Sequence, residues 1–265
     1  MLTSSKTILR SKLSLAAIAC TLILTVSPLV SLTKQVHAQE AMDRAKVEEI
    51  IRSYLLANPE LMLEVQQALE AKQKEERDAA VKVALSENKK TIFESPNQGV
   101  IGPEDAPITI VEFFDYNCGF CRRAMDDMNF LLATEKDVKF VMKELPILGP
   151  ESVEASRIST AVYREYPKQY GEFHNRLLGL DGVKNGERAI EVAKAMNMDT
   201  AKLREIGARG DILDAFREAN TLATSLGING TPSYVVGEEV LFGALGQQVL
   251  TSKIENMRAC GKSEC

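Results

Sequence analysis

Histidine is scarce in this chain of 265 residues, occurring only at positions 37 and 174. No second Cys-x-x-Cys and no Cys-x-x-His accompanies Cys118 and Cys121, so a structural zinc site, which takes four ligands, is short of two. Positive charge is also in deficit, with 32 Lys and Arg against 37 Asp and Glu. Residues 1–38 carry four of the basic residues (Lys6, Arg10, Lys12 and Lys34) and no acid, so the remainder has 28 against 37, a net charge of −9. Nucleic acid and anionic membrane surfaces, which require clustered positive charge, are therefore not expected partners. Glycine is missing from residues 39–95, where there is a single internal proline. The Ala, Glu, Lys, Gln, Leu and Arg that fill this stretch are helix formers.

The N-terminus has three basic residues, then the apolar stretch "LSLAAIACTLILTVSPLVSL", then "VHA" ending at Ala38. That order is the pattern of a secretory signal peptide cut after about Ala38, which implies export across the inner membrane to the periplasm. A transmembrane anchor is the alternative, although Ser27-Pro28 interrupts the apolar stretch. A lipoprotein cysteine at Cys20 would leave the apolar run on the wrong side of it. After removal of residues 1–38 four cysteines remain, at 118, 121, 260 and 265, an even number in a compartment that permits disulfides.

Residues 39–95 are expected to form two helices, over 43–57 and 59–90, with Asn58-Pro59 as cap and first-turn proline. Val47, Ile50, Ile51, Tyr54 and Leu55 recur at the spacing of an amphipathic face. The middle of the second helix, "KQKEERD", is charged on every side. The favoured reading is a stalk whose apolar first part packs on copies of itself, as a dimer or a trimer. The alternative is a helical pair folded back on the main domain.

A turn-rich boundary, "SPNQGVIGPEDAP" (95–107), precedes the second region, 96–265. "ITIVEFF" (108–114) reads as a buried central strand, a helix is expected from about 118 to 133, and "VKFVMKEL" (138–145) is a second strand. Several short helices follow over about 151–226, then strands over 232–243 and a last helix over 247–259. The result is an α/β domain with an inserted helical subdomain.

Cys118 at the start of a helix directly after a buried strand faces unpaired backbone N–H groups and the positive end of the helix dipole, which favour a thiolate. Cys121, one turn further on, should be more buried and able to resolve a mixed disulfide. A structural disulfide and a two-thiolate Cu(I) site are competing readings of the same pair. Cys260 and Cys265 lie five residues apart; Gly261 can end the helix and let them close as a structural disulfide, with free thiols or a second redox pair as alternatives. Lys143 and Glu144 are read as a neighbouring ion pair, and Met125 and Met128 as core or substrate contacts rather than copper ligands.

"EFFDYNCGFC" and "GTPSYVVG" together resemble the thioredoxin-fold thiol:disulfide oxidoreductases of the DsbA type, over about residues 100–260. The stalk-plus-domain layout resembles the ScsC and Com1-like proteins, some of which are trimeric isomerases. The resemblance implies a thioredoxin fold in which Thr231-Pro232 is a cis peptide facing the cysteines and the Thr231 backbone pairs with substrate polypeptide. It also implies that Glu112 is the buried acid beneath the cysteines, with a raised pKa and a role in proton transfer to or from Cys121. A strand-end acid reaching solvent is the other reading of Glu112.

Strongly oxidising members have proline and histidine between the cysteines, where this chain has Gly119 and Phe120. Without an imidazolium, the Cys118 pKa is expected in the upper part of the range of about 3.5 to 7.5 for activated cysteines, and isomerase or reductase action is preferred over oxidation. Implied partners are unfolded or misoxidised exported proteins and a membrane redox partner. No cofactor is implied.

Overall fold

The structure, a computed structural model, describes residues 44–265. The signal-peptide reading of residues 1–38 and the first residues of the 39–95 region lie outside the described residues. No described helix is long and apolar enough to cross a membrane.

The chain divides into two compact units after Asn58. The described part of the first is helix α1, Arg44–Ala57, which has no buried residue. It closes on Asn58, whose side-chain amide donates to the Tyr54 carbonyl at 2.8 Å. Ile50, Ile51, Tyr54 and Leu56 stand exposed along it.

In the second unit α2, Glu60–Glu87, is solvated along most of its length, as its charged middle requires, and buries Ala84 and Leu85 near its end. Asn88 interrupts the helix: its backbone N–H and side-chain amide both go to the Ala84 carbonyl. A short α3, Lys89–Glu94, then buries Ile92 completely. Ala84, Leu85 and Ile92 therefore belong to the core of the following domain.

The domain continues β1 Gly99–Ile101, β2 Ile108–Phe114, α4 Gly119–Thr134, β3 Val138–Glu144 and α5 Pro150–Glu165. Then come α6 Tyr170–Gly179, α7 Gly186–Ala195, α8 Thr200–Ala208, α9 Ile212–Ser225, β4 Ser233–Val236, β5 Glu239–Phe242 and α10 Gln247–Cys260. The sheet order is β1-β3-β2-β4-β5; β2 and β3 are parallel and the other neighbours antiparallel. This is a thioredoxin-like fold with the helices α5–α9 inserted between β3 and β4.

Strand β2 has both neighbours in place, so its alternating side chains are buried on both faces. Ile110 and Phe114 belong to a core shared with Cys121, Met128, Phe140, Met142 and Tyr234. Val111 and Phe113 pack on the opposite face with Leu85, Ile92, Val141, Leu222 and Leu226. The same alternation corrects the expected Lys143–Glu144 ion pair, because adjacent strand residues point to opposite faces. Lys143 instead donates to Glu218 at 2.9 Å and to the Thr91 carbonyl at 2.6 Å. Glu144 is buried on the other face, where burial pushes its carboxyl up to about 8.

Strand β1 falls within the stretch read as a boundary. A Cβ at Gly99 would lie 2.1 Å from the Tyr170 ring, so only glycine lets Tyr170 pack on this strand. At the far end Cys260 and Cys265 are joined as a disulfide, with Cα atoms 6.3 Å apart across Gly261 at φ 74°.

Candidate active site

The end of β2 delivers the chain to the start of α4 through the turn Asp115–Cys118. Cys118 is the N-cap of α4, with extended backbone (φ −80°, ψ 115°), and its sulfur accepts the Cys121 N–H at 3.4 Å. Its own N–H donates to the Asp115 carbonyl at 3.0 Å. Both thiols are free; Cys118 is 7% exposed and Cys121 fully buried. Thr231-Pro232, just before β4, is cis, and the Cys118 thiol donates to the Thr231 carbonyl at 3.1 Å. Residues 113 positions apart in sequence therefore meet at one sulfur.

Hydrogen bonding from the Cys121 thiol foremost, then from the Thr231 side chain and the N–H groups of Cys121 and Phe120, outweighs burial and holds Cys118 down to about 5. This is lower than the upper-range value expected from Gly119-Phe120. The donors at the helix N-terminus and the second thiol do the work that a histidine does elsewhere. Burial, followed by the bond to Cys118 and the charge of Glu112, pushes the Cys121 thiol far up. Glu112, opposite Tyr234 on β4 and Met142 on β3, is 2% exposed. Burial first, then the charges of Cys118 and Asp127, raises it to about 8.

Two residues of this turn were not singled out in the sequence. Asp115 is completely buried and accepts from the Asn117 N–H at 2.7 Å, the Ser152 hydroxyl at 2.7 Å and the Leu148 N–H at 3.0 Å. The Asn117 side chain donates to the Ser152 oxygen and the Lys184 carbonyl and accepts the Lys184 N–H at 2.7 Å. An Asx residue bonding two positions ahead is a turn signal legible in "FDYNC", although its long-range partners are not.

His174 is buried edge-on to Phe114, with ring centroids 4.8 Å apart, and burial lowers its pKa to about 3, so it is neutral. Met128 is buried in the core and Met125 packs against it. The two active-site thiols are soft donors, and among the described residues no group of three or more His, Cys, Asp or Glu is placed to hold a metal ion.

The family described as a DSBA-like thioredoxin domain matches residues 109–255, more than half of the chain. The chain belongs to this DsbA-like family. A second family, described as the copper resistance protein ScsC N-terminal domain, matches residues 43–76 of the same DsbA-like chain. Its domain is similar to a thioredoxin-like oxidoreductase from Silicibacter pomeroyi, at 34% identity and a TM-score of 0.62, covering 65% of this chain and 99% of that one. A linker-deletion mutant of Proteus mirabilis ScsC is 26% identical with a TM-score of 0.65, covering 84% of this chain and 99% of that one.

Among curated proteins, Na(+)/H(+) antiporter NhaA 1 of Salinispora arenicola is 25% identical over 157 residues, 58% of this chain but only 24% of the antiporter. Disulfide bond formation protein D of Bacillus subtilis is 35% identical over 86 residues, 30% of this chain and 38% of that protein. The DsbA-like chain thus spans only 24% to 38% of the length of these curated relatives.

Proposed function

We propose that this protein is a thiol–disulfide oxidoreductase of the periplasm that reshuffles or reduces disulfides in exported polypeptides. The observation that carries the reading is the Cys118 sulfur at the N-cap of α4, held down to about pKa 5 and 3.1 Å from the Thr231 carbonyl. At neutral pH such a sulfur is a thiolate. It attacks one sulfur of a substrate disulfide, forming the Cys118–substrate bond and releasing the other substrate sulfur as a thiolate. Once Cys118 is in the mixed disulfide its charge no longer raises Glu112; where that carboxyl is ionised it takes the proton of Cys121, which attacks Cys118, releasing the reduced substrate and leaving a Cys118–Cys121 disulfide. For isomerisation the released substrate thiolate attacks a second disulfide of the same substrate, and the thiolate freed there attacks the substrate sulfur of the mixed disulfide, forming a new substrate disulfide and returning Cys118 as a thiolate. Thr231-Pro232 supplies backbone beside the sulfur on which an extended substrate segment pairs.

The exposed apolar residues of α1 and the ScsC N-terminal match support self-association through residues 39–95, which would present several Cys118 sites to one substrate. A membrane redox partner that keeps the pair reduced completes the cycle.

The test is reactivation of scrambled ribonuclease by the mature chain. Recovery is expected with the wild type and none with Cys118→Ala; full recovery with Cys118→Ala overturns the assignment. Dithiol oxidation is the second reading, and the low Cys118 pKa favours it, since a stabilised thiolate is a good leaving group. Faster oxidation of reduced ribonuclease than recovery of scrambled ribonuclease selects that reading.

A further inference from the structure

We propose that Cys260 and Cys265 are a second redox pair, and that the Cys118–Cys121 disulfide of one copy of this chain oxidises the Cys260–Cys265 dithiol of another. The inference rests on the exchange reading above and gives it a dithiol partner, the loop after α10 of a second copy.

The loop that carries this pair is fixed by contacts that involve no sulfur. Helix α10 ends at Cys260, and Gly261 turns the chain back on it at φ 74°. Ser263 is buried, and its carbonyl accepts from the Asn256 side-chain amide at 2.9 Å. Lys253 donates to Glu264 at 3.2 Å and pairs with Glu239 as well. Residues 263 and 264 are thus returned to α10, and the Cys265 sulfur lies 3.5 Å from the Asn256 carbonyl oxygen. The Cα atoms of the pair stand 6.3 Å apart, within the span of a disulfide. Two thiols held at closing distance lose little freedom when they join, so the loop favours its disulfide form.

The two pairs sit in opposite fields. Cys118 caps the N-terminus of α4, where backbone N–H groups hold its thiolate down to about pKa 5. Cys260 is the last residue of α10, at the negative end of a helix, with the carbonyl oxygens of Lys262 and Glu264 each 3.9 Å from its sulfur. A thiolate is stabilised at the first site and repelled at the second. A pair whose reduced form is stabilised has an oxidising disulfide. The disulfide therefore passes from the active site to the loop.

The partner has to be a second copy. Cys118 opens α4, whereas Arg258 in the last turn of α10 pairs with Glu135 and Asp137, just beyond the other end of α4. The 16 residues of α4 span about 24 Å, which separates the two pairs within one chain. Cys260 and Cys265 are both exposed, so another copy can reach them. Cys265, which is not at the helix end, loses its proton to solvent and attacks Cys118 of that copy. The Cys118–Cys121 bond breaks, and Cys121 leaves with the electron pair and takes up a proton. Cys260 then gives up its proton and attacks Cys265, forming the loop disulfide and releasing Cys118 as a thiolate. Two electrons move from the loop to the active site. One proton is taken up at Cys121 for the two that the loop thiols release, and Cys118 is left in the form that the exchange reading uses.

The experiment separates the pairs in two variants of the mature chain. C260S/C265S with its active site oxidised is the donor, and C118A/C121A with its loop reduced is the acceptor; alkylation and mass spectrometry count the thiols in each. Oxidation of the loop is expected to be proportional to donor concentration and about tenfold or more faster than with the same concentration of glutathione disulfide, with most of the disulfide in the acceptor at equilibrium. A rate no faster than that of glutathione disulfide, or an equilibrium that leaves the disulfide in the donor, overturns the proposal. If the reduced acceptor does not fold by circular dichroism, the wild-type chain is titrated with glutathione buffers instead. The active-site pair should then be reduced at a less reducing ratio than the loop pair, and the opposite order overturns the proposal. A donor whose disulfide does not exchange with glutathione either overturns the exchange reading along with this one.

Discussion

At the scale of the residue, burial of Glu112 ties stability to pH. Its folded pKa is raised from 4.5 to about 8, so across that interval the folded chain holds a proton that the unfolded chain has released. The stability lent by the neutral carboxyl is complete below about pH 4.5 and is lost as the pH rises through 8. By neutral pH the loss is on the order of a few kcal/mol. Glu112→Gln keeps the shape and cannot ionise, so it is expected to raise Tm at pH 7.5 and to leave it nearly unchanged at pH 4.5. Thermal denaturation of the oxidised protein at the two pH values checks this; equal Tm values for wild type and variant at pH 7.5 would mean that water reaches the carboxyl. The same substitution should slow resolution of the proposed Cys118–substrate disulfide, because the ionised fraction of Glu112 that can take the Cys121 proton is then absent.

At the scale of the element, the strands and helix that make the site were legible because each is set by local chemistry. "ITIVEFF" is β2 to the residue, and the helix expected from Cys118 starts one position later with Cys118 as its cap. Strand β1 was not legible. Three residues, Gly99–Ile101, carry no alternation long enough to read between "SPNQ" and "GPEDAP", and the strand exists through its pairing with β3 and its contact with Tyr170. Nor could the sequence tell that Lys143 spans to Glu218 on α9 and Thr91 on α3, 75 and 52 positions away. The Asp115 network was hidden for the same reason: its turn is local, but Leu148 and Ser152 come from the next strand–helix connection.

Lys143 is 1% exposed on its side chain and Glu218 18%, so removing the cation leaves a half-buried carboxylate without its charge partner. Lys143→Ala should therefore cost about 3 kcal/mol, the usual scale for breaking a buried pair, and should speed hydrogen exchange in α3 ahead of the rest of the domain. Urea denaturation with exchange mass spectrometry reads both. Uniform acceleration across the domain, or a loss below about 1 kcal/mol, would mean that α3 is held by Ile92 alone.

At the scale of the whole molecule, the place of division decides which truncation is informative. The second compact unit begins at Pro59. A chain starting there keeps Leu85 and Ile92 over β2 and β3; one starting at Gly99 loses them and uncovers Val111, Phe113 and Val141. Light scattering of residues 39–265 is expected to give an oligomer and of residues 77–265, which lack the ScsC N-terminal match, a monomer. The shorter chain should keep its reactivity towards glutathione disulfide while recovering scrambled ribonuclease several-fold more slowly. Monomers in both cases would leave the exposed residues of α1 without that partner.

The position of β2 within the sheet bears on how the chemistry is timed. Glu112 lies on the inner strand, flanked by β3 and β4, with almost no surface of its own in solvent. On the proposed mechanism, a proton handed down from Cys121 has no bulk water to enter while a polypeptide covers Cys118. In the proposed exchange it moves to the buried carboxyl as Cys121 attacks, so it is held inside the protein while the mixed disulfide breaks and the substrate leaves. The resolving step so proposed is expected to run at a rate independent of buffer concentration, its pace set inside the molecule rather than by the medium in which the protein works.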